Sequence, residues 1–456
     1  MKGYTGETRL IDKKILAVCT IAALIAGLSP IITGVGLVYI SVLIGICAFG
    51  ALLVFRYHWA VILNILILSF VKFEPAPADL VFILLFAVGV MSHRLESHRL
   101  NPTRPMILFP ILYILISTLQ LFISHEMMLG IRYHLITMYL IAYSYYMFLY
   151  VSRDNIKNII RAYIISGTIS ALLGLAGYLG VLPSLLMYDR YRAMALFKDP
   201  NVFGPFLVPV VVMLIEDSWK KQLFDHPSWI RIIHIAINLL GIIVSFSRGA
   251  WVNTCACLLI YFVLNIKKIH LPAAELKRLV LYALLVLVIV SVVWRFIIPH
   301  EYKQFLLSRI NFQTYDKDRF ATHRKGIALA SINIFGFGPG QFEYNVLRYS
   351  GAEFSAHNLY IRLAMENGLI GLLLFIGSLA FIIYELGIHH LQGRTYIVMT
   401  PASLVAILMG IMVNGIVIDT IHWRHFWFFI GIGMAAITMN HKHNPDSTSV
   451  GPPSIK

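Results

Sequence analysis

The sequence predicts an all-α integral membrane protein with about 12–14 transmembrane helices and a long helical external loop. Three observations lead there. Apolar residues make up 59% of the chain and charged residues 13%, about half the roughly 25% charged content of a soluble domain. Continuous Leu/Ile/Val-rich runs recur along most of the chain, with Lys and Arg clustered between them. None of these runs alternates with period two, which excludes a β-barrel and leaves helices as the way to satisfy the backbone in lipid.

A helix crosses the hydrocarbon core with roughly 17–25 residues, and the candidate spans follow in order. The first, 14–29, comes after Lys13 and Lys14. It lacks a small-residue cleavage site, so an uncleaved span is expected rather than a signal peptide. Spans 33–55, 57–73, 78–92 and 106–124 come next, with Arg94, Arg99 and Arg104 before the last of them. Arg153 and Lys157 lie between 133–152 and 158–181, and Lys220 and Lys221 follow 201–216. Spans 229–246 and 249–266 are joined by a sharp turn, where Gly249 suits a tight reversal. Lys267, Lys268, Lys277 and Arg278 mark the start of 277–298, and 363–385, 398–418 and 424–440 complete the set. The expected organisation is N-terminal transmembrane helices over 1–298, an external helical loop over 299–362 and C-terminal transmembrane helices over 363–440. The polar tail, 441–456, is expected to be disordered and cytoplasmic.

The 37 Lys and Arg against 22 Asp and Glu read as membrane anchors rather than a nucleic-acid footprint, because they fall between apolar runs. Placing the basic clusters inside puts both termini in the cytoplasm. Two external segments break that bias. Residues 187–201 carry Arg190, Arg192 and Lys198, and the long stretch from about 299 to 362 carries Lys303, Arg309, Lys317, Arg319, Arg324, Lys325 and Arg348. Cations held outside against the bias point to an anionic ligand. Within the long segment, 320–334 and 301–312 read as amphipathic helices lying over the membrane surface. Cys19, Cys47, Cys255 and Cys257 sit inside apolar runs and form no Cys-x-x-Cys pair, so no zinc or disulfide framework is expected.

Three constellations share the outer face under this topology. Arg192 to Asn201 leads into a helix that Asp199 or Asn201 can cap, with Pro200 at its entry. By itself this reads more simply as a helix start with surface charges. Ser247-Arg248-Gly249-Ala250 forms the sharp turn, where Arg248 is equally a snorkelling anchor. The third runs from Ser355 through His357, Asn358, Tyr360, Arg362 and Glu366 to Gly368 and Gly371. Ser355 is a plausible N-cap that would put His357 in the first helical turn, where the dipole favours the neutral imidazole of a general base. Arg362 and Glu366 have the spacing of an ordinary intrahelical ion pair.

The combination resembles the O-antigen ligase and polymerase superfamily over roughly 185–385. It comprises Arg…Asp-Pro-Asn, Ser-Arg-Gly-Ala, Arg324 followed by Gly336-Phe-Gly338-Pro-Gly340, and His357-Asn-x-Tyr360 with Glu366-x-Gly368-x-x-Gly371. Ala195 departs from the pattern, a glycine being common there. The glycine cluster at 336–340 lacks the strand–turn–helix setting of a dinucleotide loop. The resemblance implies a C-type membrane glycosyltransferase of the bacterial inner membrane, with its active site on the outer face. Such an enzyme moves a glycan from undecaprenyl pyrophosphate to an acceptor hydroxyl. The ligases use lipid A–core as the acceptor and the polymerases a second lipid-linked repeat unit. Carried onto this chain, it makes His357 the general base, and Arg192 and Arg248 the pyrophosphate ligands. Arg324, Asn201, Asn358, Tyr360 and Glu366 take supporting roles, Glu366 or Arg324 holding His357. Inversion by single displacement is expected, with no metal and no cofactor; Asp316-Lys-Asp318 resembles a metal motif only superficially. The implied partners are the lipid-linked donor, a glycolipid or glycan acceptor and the bilayer. A lipid-linked glycan flippase and a membrane scaffold are the competing readings.

Overall fold

The computed structural model describes residues 49–50, 52–53, 55–96, 99, 104–266, 300–311, 314–351, 355–394 and 398–439. The expected spans 14–29 and 277–298, most of 33–55, and the tail lie outside the described residues. Fifteen α-helices and no strand form among the described residues. In chain order they are α1 (Tyr57–Leu66), α2 (Pro77–Met91), α3 (Arg104–Gln120), α4 (Met127–Tyr150) and α5 (Ile156–Tyr178). α6 (Pro200–Lys220), α7 (Ser228–Val244), α8 (Arg248–Asn265), α9 (His300–Ile310) and α10 (Thr314–Ile332) follow. α11 (Phe342–Ser350), α12 (Leu359–Glu366), α13 (Gly368–Leu391), α14 (Pro401–Asn414) and α15 (Arg424–Met439) complete the chain.

Among the described residues four helical segments are long and apolar enough to cross a membrane: Pro105–Ile123, α5, α6 and α13. α1, α2, α7, α14 and α15 are shorter apolar helices. α6 is the most enclosed of the long four, packed against α5, α7, α8 and α14, with Phe203, Phe206 and Leu207 fully buried. Its apolar side chains therefore face protein on nearly every side, the pattern of a helix hydrophobic all round. α4 packs on α15 and α3 on α13.

Two buried carboxylates fix the C-terminal end of α6. Glu216 accepts the Thr400 amide at 2.8 Å and the Ser403 hydroxyl at 2.5 Å, tying α6 to α14. Asp217 pairs with Arg231 of α7 at 2.9 Å. The N-terminal end of α6 is where the three sequence constellations meet.

The expected span 363–385 is two helices. Asn367 caps the end of α12, and Gly368 opens α13 at φ +68°. A Cβ at Gly368 would lie 2.4 Å from the Ile334 carbonyl oxygen, so the reversal needs glycine both for its φ and for its clearance. α10, α11 and α12 enclose a separate small core of Leu329, Phe342, Val346, Ala356 and Met365. α9 docks elsewhere, through Phe305 stacked 4.5 Å from Tyr191 and edge-on to Phe246 at 5.1 Å.

Candidate active site

Among the described residues five non-glycine positions have positive φ, and three of them mark the loops that build the site: Ala195 (+49°), Phe246 (+48°) and His357 (+42°). Left-handed backbone costs a side chain roughly 1–2 kcal/mol, and such strain gathers where a loop must aim particular groups. At Ala195 it also accounts for the glycine common at that position in the resembling family.

In the first loop Asp199 caps α6 by accepting the Asn201 amide at 2.7 Å. Asn201 is thereby placed to join two constellations. Its Oδ1 accepts Arg192 Nη2 at 3.2 Å and the Ser247 hydroxyl at 2.9 Å. Arg192 also donates through Nε to the Ser245 carbonyl at 3.3 Å and lies 5.5 Å from the Tyr188 ring centroid. Ser247 is the N-cap of α8, which begins at Arg248. The reversal before α8 is made by Phe246, not by Gly249 as expected. Gly249 is helical, and its role is close packing: a Cβ there would lie 2.7 Å from Asn414 Oδ1.

A cavity of about 430 Å³ opens against these loops. Arg192 and Arg248 both line it, joined by Arg309 of α9, Arg319 and His323 of α10, and Asn358. Among the described residues its lining contains four arginines and no carboxylate. Burial, with Arg309 nearby, lowers the Arg192 pKa, while Asp199 and Asp189 oppose that shift. Cations brought together at a cost in mutual repulsion are relieved by a bound anion, and their fork geometry suits phosphate oxygens.

His357 stands immediately before this lining. The N-cap of α12 is Asn358, whose Oδ1 accepts the Ile361 amide at 3.0 Å, so Ser355 is not the cap and His357 is not in the first turn. Its neutrality has another origin. Burial, aided by Arg319, Arg362 and His323 against Asp199, lowers its pKa to about 4. The imidazole is therefore a neutral acceptor at physiological pH. His323 Nε2 donates to the Ala356 carbonyl at 2.9 Å, holding the backbone beside His357, and burial lowers the His323 pKa as well.

The supporting residues divide. Asn358 Nδ2 donates to the Ile416 carbonyl at 2.8 Å, and the Tyr360 hydroxyl to the Met412 carbonyl at 2.7 Å, so both fasten α12 to α14. Arg324 is exposed and does not line the cavity; Arg319 and His323 of the same helix do. Glu366 does not hold His357. Its carboxylate accepts the Gly340 amide at 3.0 Å, the Phe342 amide at 3.1 Å and Arg362 Nη1 at 2.8 Å. Burial pushes the Glu366 carboxyl up to about 7 against the pull of Arg362. Arg362 is the hub, reaching Glu343 and, at 2.7 Å, Asp419 as well, and these carboxylates raise its pKa. Glu366 thus clamps the glycine loop, in which Gly338 has φ +101° and would place a Cβ 2.0 Å from Ser124 Oγ.

Arg309, Arg319 and His323 join the site without having been singled out by sequence reasoning. Their signal was present in part: Arg319 and His323 are four residues apart and so share a helix face, which the adjacent Arg324 does not. Among the described residues no group of three or more His, Cys, Asp or Glu is placed to hold a metal ion.

No curated protein matches the chain. Residues 233–376 match the family model described as O-antigen ligase. That interval includes Arg248, the α9–α11 region, His357 and Glu366, whereas Arg192 lies before it. The match supports a glycosyltransferase-like membrane enzyme that uses a lipid-linked glycan and an acceptor. The chain is thus similar to the O-antigen ligase family over the segment that carries Arg248, Arg309 and Arg319 of its cationic cavity and its candidate base, His357.

Proposed function

We propose that this protein transfers a glycan from undecaprenyl pyrophosphate to an acceptor hydroxyl on the outer face of the bacterial inner membrane, as an O-antigen ligase does with a lipid A–core acceptor. The acceptor oxygen attacks the anomeric carbon and its proton passes to His357. The bond from that carbon to the pyrophosphate oxygen breaks, the electron pair leaves with the lipid pyrophosphate, and the anomeric configuration inverts. Arg192 and Arg248 bind the pyrophosphate, with Arg309 and Arg319 completing the cage. Charge accumulating on the leaving group is met by cations already in place, which is the favourable arrangement for stabilising a transition state. Four guanidinium groups supply that compensation without a metal ion.

The observation that carries this reading is the convergence of Arg192, Arg248, Arg309 and Arg319 on one cavity beside a neutral histidine. A positioned general base contributes about 10²–10⁴-fold to rate. The test is reconstitution in vesicles with labelled lipid-linked glycan and a glycolipid acceptor, with the anomeric configuration of the product read by NMR. An inverted glycoside formed by the wild type and lost in His357→Asn supports the reading. Asparagine tolerates the left-handed backbone at 357 and so isolates the loss of the base. Movement of the labelled lipid across the bilayer without any new glycoside would make the protein a flippase instead.

A further inference from the structure

A second cavity, of about 170 Å³, shares the 192–202 segment with the arginine cavity. Arg192 and Asn201 line the first, and Phe197, Lys198 and Val202 line the second. A water needs about 10–15 Å³ of such space, so this volume exceeds what a bridging water would fill.

Its chemistry differs from that of the first. Every charged group in its lining is neutralised by a neighbour. Glu74 pairs with Lys198 and, at 3.3 Å, with Arg132. Arg424 forms a two-point contact with Asp79, one arm at 2.6 Å, and Asp79 also accepts the Tyr139 hydroxyl at 2.7 Å. His422 is held by Thr137 at 3.1 Å, and burial lowers its pKa to about 4, so it too is neutral. No anion is favoured here, and the lining sets Trp423 and Val202 beside hydrogen-bonding groups.

One polar atom in that lining is left over. His425 is 2% exposed, stacked 5.1 Å from Trp423 and edge-on to Phe206 at 5.4 Å, and its Nε2 has no hydrogen-bond partner among the described residues. An unmet buried polar atom costs about 1–3 kcal/mol, and a ligand hydroxyl meets it. We propose that this second cavity is the acceptor subsite, taking a neutral sugar ring through hydroxyl contacts to His425, His422 and Glu74 and apolar contact with Trp423. The inference rests on the glycosyl-transfer reading above and adds a division of labour to it: the cationic cavity holds the lipid diphosphate, and the charge-balanced cavity holds the hydroxyl-bearing acceptor.

The test uses full-length protein at matched membrane levels, with two readouts. Glycan transfer is followed in membranes that supply their own donor and acceptor, and undecaprenyl pyrophosphate affinity is measured on purified protein in nanodiscs. His425→Phe, which keeps the aromatic packing, is expected to lower transfer at least about 10-fold, the equivalent of one 1.4 kcal/mol contact, while leaving undecaprenyl pyrophosphate affinity within twofold. His425→Gln, which retains a side-chain amide able to meet a hydroxyl, is expected to recover most of the transfer. Val202→Phe, which fills the cavity and removes no polar group, is expected to behave like His425→Phe. Wild-type transfer by both His425→Phe and Val202→Phe overturns the proposal, as does a parallel loss of undecaprenyl pyrophosphate affinity. Undecaprenyl pyrophosphate affinity left intact by Arg248→Ala would instead remove the diphosphate assignment of the first cavity, while the His425 comparison still reads the second.

Discussion

Replacing Glu366 separates a loop clamp from a catalytic partner. Its buried carboxylate accepts two backbone amides, from Gly340 and Phe342, and one arm of Arg362. Glu366→Ala leaves both amides without an acceptor, whereas Arg362 keeps Glu343 and Asp419. Each buried donor left unmet costs about 1–3 kcal/mol, so the glycine loop should lose roughly 2–6 kcal/mol of local stability. At 1.36 kcal/mol per tenfold, that corresponds to at least about 30-fold faster amide hydrogen exchange at Gly340 and Phe342. Glu366→Gln keeps one acceptor oxygen but turns an NH2 towards a donor, so it should fall between Glu366→Ala and wild type. The assay is hydrogen–deuterium exchange by mass spectrometry on protein in nanodiscs, reading peptides over 336–342 and 355–358. Fast exchange confined to the first supports the clamp. Unchanged protection over 336–342, with the response at His357 instead, would refute this reasoning and restore Glu366 as the partner of the base.

Three further outcomes follow from the geometry. Because His357 must be neutral to accept a proton and its pKa is about 4 in the free protein, kcat/KM should fall only as pH drops through about 4. The bound dianion raises that pKa, so the acid limb of kcat should lie at higher pH; coincident limbs would contradict the pairing of base and diphosphate. Arg309→Ala and Arg319→Ala should each weaken undecaprenyl pyrophosphate binding roughly 10- to 150-fold, the loss of one charge-assisted contact of about 1.5–3 kcal/mol, whereas Arg324→Ala should change it less than twofold, as direct binding measurements would show. Gly338→Ala should destabilise the protein by more than about 1 kcal/mol through its φ alone, and Ser124→Gly should restore only part of the melting temperature, since it removes the clash and leaves the strain.

The helical class was legible because long apolar runs admit little else in lipid, and the start of α6 could be read from its cap, Asp199. Boundaries were less so where two helices abut without a polar interval. The 359–391 region reads as one apolar stretch, and only the positive φ at Gly368 divides it. In the site, Arg192 was visible as an arginine held against the charge bias, and Arg248 as the cation of a sharp Ser-Arg-Gly turn. Their meeting through Asn201 was not, since 46 residues separate the Ser247 hydroxyl from its acceptor. Arg309 and Arg319 were lost among neighbouring cations, because a sequence shows charge and leaves helix azimuth to the fold. Glu366 was misplaced for a related reason: four-residue spacing revealed its bond to Arg362, but the Gly340 and Phe342 amides reach it from a loop about two dozen residues earlier. The Gly249 reversal and the Ser355 cap were plausible local chemistry that Phe246 and Asn358 supply instead.

The central claim is that one cavity holds a lipid diphosphate in arginines while His357 activates the acceptor. It is tested most directly by expressing wild type, Arg192→Ala, Arg248→Ala and His357→Asn at equal membrane levels and quantifying attached glycan together with lipid-linked precursor. The account predicts loss of attached glycan and accumulation of precursor in all three variants. Normal glycan attachment in all three would contradict it.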